Sequence, residues 1–221
     1  SLGEYAALVA AQALDFEDAI KLVARRGQLM QAAVPEGEGA MAAIIGLNDE
    51  AIMKICEQVS SELGRPVEAV NFNSPGQVVI AGANEAVNAA MERLKEEGAK
   101  RALPLPVSVP SHSSLMKPAA EQLADYLKGV TINTPKVQVI HNVDAKSHDK
   151  PDDIRDALVK QLYNPVRWTQ TIQIITDGAD AVVECGPGKV LGGLTRRINK
   201  DVQSFSLDSM ASMQKFLDSM V

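Results

Sequence analysis

Between Ala40 and Leu105 the apolar pattern switches repeatedly between two periods, and the order of those switches leaves few folds open to the chain. Ala40 to Ile45 is a short apolar run, followed from Asp49 to Leu63 by helical spacing through Ile52, Ile55, Cys56 and Val59. Val67 to Phe72 and Gln77 to Ala81 read as strands joined across the turn sequence Asn73-Ser74-Pro75-Gly76. Helical spacing returns from Asn84 to Glu97, and Ala99 to Leu105 is strand-like. The order is β-α-β-β-α-β.

This is the order of a ferredoxin-like unit. Residues 37–106 are therefore expected to form a small subdomain of that kind, inserted into a larger α/β domain made of residues 1–36 and 107–221. In the flanks, an Ala-rich helix is expected from Glu4 to Ala13, and a second from Asp15, with Asp18 completing a variant capping box. Helices are expected over Ser114–Leu127, Pro151–Leu162 and Thr169–Thr176. Strands are expected over Val137–Val143, Ala181–Glu184 and Ser204–Leu207, the last before a C-terminal helix. With 221 residues, 46% of them hydrophobic, the chain has enough apolar surface for a real core.

The net charge of -6 is spread without long like-charge blocks, which argues against a nucleic-acid partner. Cys56 and Cys185 have no metal-ligand or redox spacing, so no metal site is expected, and two lone thiols suit a reducing cytoplasm. No apolar run approaches the roughly 20 residues that cross a bilayer, and SLGEY lacks the basic start of a secretion signal. A cytoplasmic protein with no membrane association is expected. The opening at Ser1 without Met, inside what reads as a motif, suggests a fragment of a longer polypeptide.

Ser1 leads directly into a helix, as a nucleophilic serine on a tight turn would, and the N–H of Leu2 then lies where it could donate to an oxyanion. A serine in that place is more often a helix N-cap. Arg26 has Leu22, Val23, Leu29 and Met30 three and four positions away, whereas Arg25 faces Lys21 and Gln28. A guanidinium on an apolar stripe needs an anion, either an acid of the protein or a ligand. Of the histidines, His141 sits in the alternating segment VQVIHNV and reads as packed or hydrogen-bonded. His148 lies in a charged turn and reads as solvated. His112 stands in the small-residue loop VPSHSSL, with room for its ring to reach another side chain, although a plain surface histidine fits as well. GPGK near residue 188 lacks the spacing of a phosphate-binding loop, and no Ser or Thr follows Lys189.

SLGEYAALVAA closely resembles the GHSLGEY segment of malonyl-CoA:acyl carrier protein transacylases, and RGQLMQ, VPSHSSLM, QLYNPVRW and ECGPGKVL continue the likeness toward the C-terminus. The resemblance implies an α/β-hydrolase-like acyltransferase domain in which Ser1 is the nucleophile and His112 the base and acid. It also implies that Arg26 forks onto the malonyl carboxylate, that the main-chain carbonyl of Gln161 orients the imidazole, and that backbone N–H groups such as that of Leu2 hold the oxyanion. The GPGK segment becomes a structural turn near the acyl pocket. A second oxyanion donor is expected from a Gly-rich loop outside these residues. Malonyl-CoA and the phosphopantetheine arm of acyl carrier protein follow as substrates in fatty acid synthesis, with ping-pong kinetics and no metal or organic cofactor. A polyketide synthase acyltransferase domain would share this chemistry. A serine thioesterase would share Ser1 and His112 but would have no use for Arg26 on an apolar stripe.

Overall fold

The structure, a computed structural model, describes residues 1–107 and 109–219. Its larger sheet is antiparallel, with β1 (Gly39–Ile45), β2 (Val67–Ser74), β3 (Gln77–Ala83) and β4 (Arg101–Pro104) in the spatial order β2-β3-β1-β4. Two helices join these strands and pack on the sheet: α3 (Asp49–Leu63) and α4 (Asn84–Glu96). Asn48 starts α3 by accepting from the Ala51 N–H at 2.8 Å, and Gly64 ends it in the left-handed region. Pro75 and Gly76 form the β2–β3 turn, where Gly76 takes φ 71°. Gly82 is required for a different reason: a Cβ there would meet the Pro66 carbonyl oxygen at 2.0 Å. The apolar core under this sheet comes entirely from residues 42–102, with Ile44, Ile52, Ile80 and Leu94 fully buried.

A second core gathers residues distant in sequence. It is built by α1 (Leu2–Ala10), α2 (Phe16–Ala33), α5 (Lys117–Leu127) and α6 (Pro151–Gln161), with Leu8, Leu22, Leu123 and Leu158 fully buried among them. Asp15 caps α2 by accepting from the Glu17 and Asp18 N–H groups. A single 3₁₀ turn, Ser114–Met116, leads into α5. Beyond α7 (Trp168–Ile175), β5 (Ala181–Glu184) and β6 (Gln203–Ser206) pair in parallel around α8 (Val190–Ile198), and α9 (Met210–Asp218) follows. The expected large-domain span 107–221 includes Ser108, Met220 and Val221, which lie outside the described residues.

The strand expected over Val137–Val143 does not form. Only an isolated bridge joins Ile140 to Ser147, because the His141 N–H bonds back to the Lys146 carbonyl at 2.9 Å and the chain turns on itself. Of the alternating face only Val139 and His141 are buried, Val137 is exposed, and among the described residues no neighbouring strand pairs with the segment. Among the described residues no helix is long and apolar enough to cross a membrane.

Candidate active site

Ser1 is the N-cap of α1, yet its side chain caps nothing. Its Oγ instead accepts from Arg26 Nη2 at 3.2 Å. Leu2 opens α1, so its N–H belongs to the first turn, where donors have no intrahelical acceptor and face the positive end of the helix dipole. Exposure of Ser1 leaves the hydroxyl open to a ligand.

Arg26 is buried on α2, beside Leu22, Leu29 and Met30. Besides Ser1, Nη2 donates to Gln161 Oε1 at 3.1 Å, and the guanidinium carbon lies 5.7 Å from the centre of the Tyr5 ring. Among the described residues no Asp or Glu pairs with Arg26, and its Nε has no hydrogen-bond partner. The structural ion pair that sequence left open is therefore not what satisfies this residue. A buried cation held only by neutral acceptors retains its demand for an anion. Burial also pushes the Tyr5 phenol above its usual range, and its hydroxyl is unpartnered.

His112 reaches the cluster through its backbone as much as its ring. It takes φ 67°, a left-handed conformation that costs a non-glycine residue about 1–3 kcal/mol. In that pose its N–H donates to the Leu162 carbonyl at 2.9 Å, and ring Nδ1 lies 2.7 Å from the Gln161 carbonyl oxygen. Both acceptors sit at the C-terminus of α6, where carbonyls lack intrahelical donors and the helix dipole is negative. A main-chain carbonyl so placed can orient the imidazole and favour its charged form, the work a carboxylate does in other triads. Burial holds the His112 pKa well down, to about 3, while the Gln161 carbonyl works against that shift and Arg26 adds to it. The ring is therefore neutral at physiological pH and able to accept a proton. No hydrogen bond joins Ser1 Oγ directly to the His112 ring among the described residues.

Gln161 is the hub. Its carbonyl serves His112, its Oε1 serves Arg26, and its Nε2 donates to the Ser1 carbonyl at 3.1 Å and to Glu4 Oε2 at 2.9 Å. Sequence had marked only its main chain. Glu4, His141 and Asn142 were missed as parts of the site. Glu4 shares a face of α1 with Leu8 and is just as buried, so the reasoning that singled out Arg26 would have found it. His141 is fully buried, as expected, but in a turn and not on a strand. His148, expected to be solvated, is half-buried, with Nε2 2.8 Å from Asp144 Oδ2.

Neither remaining feature joins this cluster. The GPGK turn, expected near the acyl pocket, lies between β5 and α8, where Glu184 accepts from the Leu191 and Gly192 N–H groups. A cavity of about 810 Å³ between α3, β2 and the start of α7 is lined by Asp49, Glu50, Glu57 and Glu68, with Arg167 as a cation, and contains none of the cluster residues. Four carboxylates make it a poor receptor for an acidic acyl group. The cluster is the better site on chemistry.

A family model described as acyl transferase domain matches residues 1–215. The malonyl CoA-acyl carrier protein transacylase of Haemophilus influenzae is 62% identical over 213 residues, which is 96% of this chain and 68% of that protein. The chain belongs to the malonyl CoA-acyl carrier protein transacylase family. The solved structure of the Coxiella burnetii member is 51% identical, with a TM-score of 0.96 over 99% of this chain and 69% of that one. A further structure, a malonyl-transacylase in complex with a type II PKS acyl-carrier protein, is 53% identical with a TM-score of 0.95, covering 98% of this chain and 70% of that one. The fold is thus the mixed α/β fold of this acyltransferase family.

Proposed function

We propose that this protein transfers the malonyl group of malonyl-CoA to the phosphopantetheine thiol of acyl carrier protein, for fatty acid synthesis in the cytoplasm, through a malonyl ester on Ser1. The observation that carries the reading is Arg26: a buried guanidinium 3.2 Å from the Ser1 hydroxyl, paired with no carboxylate among the described residues. The malonyl group brings that carboxylate and places its thioester carbon next to Oγ.

In the first half-reaction His112 removes the Ser1 Oγ proton as oxygen attacks the thioester carbon. The N–H of Leu2 is one donor to the tetrahedral oxyanion. Collapse breaks the C–S bond, and CoA leaves as a thiol with the proton from the imidazolium. In the second half His112 takes the proton of the carrier thiol, sulfur attacks the ester carbon, and Ser1 leaves and is reprotonated. With the Gln161 carbonyl in place of a carboxylate, the imidazolium is stabilised less, so it returns its proton readily to either leaving group. An acetyl group would leave Arg26 unpaired, which disfavours acetyl-CoA by about 1.5–3 kcal/mol or more.

For the architecture, we read residues 1–36 and 107–221 as an α/β-hydrolase-like large domain and 37–106 as an inserted ferredoxin-like subdomain. Support comes from the β2-β3-β1-β4 strand order and from a core drawn wholly from residues 42–102. Intact-mass measurement after brief exposure to malonyl-CoA tests the chemistry. The expected result is one malonyl adduct on the protein and none on Ser1→Ala; an adduct that survives the substitution overturns the nucleophile.

A further inference from the structure

Glu4 is buried in the cluster, yet among the described residues no hydrogen bond joins it to Ser1 Oγ or to the Arg26 guanidinium. Its Oε1 lies 2.7 Å from His141 Nδ1. Its Oε2 accepts from the Asn142 N–H at 2.8 Å and from Gln161 Nε2 at 2.9 Å. We propose that Glu4 is a positioning residue for malonyl selectivity, locking the Gln161 amide so that its oxygen, and not its NH₂ group, faces Arg26.

The two ends of a glutamine amide have opposite hydrogen-bonding sense. As it stands, Gln161 Oε1 accepts from Arg26 Nη2 at 3.1 Å. A flipped amide would set donors against donors. Two acceptors oppose the flip, the Ser1 carbonyl at 3.1 Å and Glu4 at 2.9 Å. Glu4 is the charged one and so forms the stronger bond. It is held in turn by the Asn142 main chain and the His141 ring, which sit in the turn closed by the His141 and Lys146 backbones.

The arrangement solves a problem that a direct Glu–Arg pair would create. Such a pair would compete with the substrate carboxylate for the guanidinium. With an amide interposed, Arg26 rests on two neutral oxygens, Ser1 Oγ and Gln161 Oε1, which an incoming carboxylate can outbid. Charge and orientation can be told apart here. Removing the negative charge of Glu4 would by itself strengthen the pull of Arg26 on an anion, whereas freeing the amide would misplace Arg26 and weaken it. A glutamine at position 4 keeps the acceptor without the charge: its oxygen can take the Asn142 and Gln161 donors, and its NH₂ can face His141 Nδ1 in the other ring tautomer.

This inference rests on Arg26 as the malonyl receptor, and the test includes controls for that. Acyl-serine formation from malonyl-CoA and acetyl-CoA is timed for the unmodified protein, Arg26→Ala, Glu4→Met, Glu4→Gln and Gln161→Met, each checked for folding by thermal melting. For Glu4→Met the malonyl-to-acetyl ratio of kcat/KM should fall about tenfold or more, the loss expected for a charge-assisted hydrogen bond. Glu4→Gln should recover most of that ratio. The acid limb of the pH profile should not move in any of the position 4 and 161 variants, since the acceptor of His112 is a main-chain carbonyl. Gln161→Met cuts the same relay and decides the matter if Glu4→Met does not fold. A folded Glu4→Met or Gln161→Met with a ratio within about threefold of the unmodified protein overturns the proposal, since that is under 1 kcal/mol. So does a Glu4→Gln that falls as far as Glu4→Met. Loss of malonyl preference in the unmodified protein, or its persistence in Arg26→Ala, instead strikes the Arg26 reading and removes the basis for the role of Glu4.

Discussion

The sheet of residues 39–104 and the polar cluster around Ser1 are built on opposite plans. The sheet buries redundant apolar surface contributed by one continuous stretch of chain, and many contacts share the work. The cluster is assembled from five separate segments, around Ser1, Arg26, His112, His141 and Gln161: Arg26 lies 25 positions from Ser1, and Gln161 lies 135 from Arg26 and 49 from His112. Its polar atoms have at most two partners each, so a single loss leaves a further buried donor or acceptor unsatisfied. Robustness belongs to the first region and specificity to the second.

The contrast breaks if substitutions in the two regions do not separate rate from stability. The largest effect is expected for His112→Ala, which should lower kcat about a hundred- to ten-thousandfold while the protein still melts cooperatively. Rapid-quench kinetics with malonyl-CoA measures it, and a loss under tenfold would remove His112 as the base. Next comes Leu94→Ala in the sheet core. Denaturant melts should show a loss of about 2–5 kcal/mol, with kcat/KM of the folded protein unchanged.

A smaller effect follows from the neutral, buried His112. Its folded pKa, about 3, is below the ordinary histidine value of 6.5, so the unfolded chain binds the proton more readily between those values. The stability contribution is complete above 6.5 and is lost as pH falls through this window, by at most about 1.4 kcal/mol per pH unit. The acid limb of kcat/KM should likewise lie well below 6.5, and a limb at the ordinary histidine value would refute the burial argument. The smallest effect sharpens the comparison from the other side. Asn48→Ala removes the cap of α3 and should cost about 1 kcal/mol in a denaturant melt, with no change in acylation rate.

Much of the sheet unit was legible because periodicity is a local signal. The span Asp49–Leu63 matches α3 at both ends, and Ala181–Glu184 matches β5. The same signal failed over Val137–Val143, where alternation was real but no strand lay alongside to pair with it. In the cluster, Arg26 stood out as a charge on an apolar stripe. The Gln161 side chain that accepts from it did not, since Gln161 is an ordinary polar residue at a helix end.

By itself the sequence determined the β-α-β-β-α-β order of residues 39–104, the burial of Arg26 and the resemblance that points to Ser1 and His112. These depend on spacing over a few turns of chain and on the cost of burying a charge. Only the tertiary structure decided which groups meet: that the Ser1 hydroxyl takes a hydrogen bond from Arg26 and leaves the helix uncapped, that the end of α6 offers His112 its acceptor, and that Glu4 holds the amide between them. The reason is physical. A hydrogen bond is decided by distances of about 3 Å and by direction, and residues more than a hundred positions apart acquire both only when α1, α2 and α6 pack into one core.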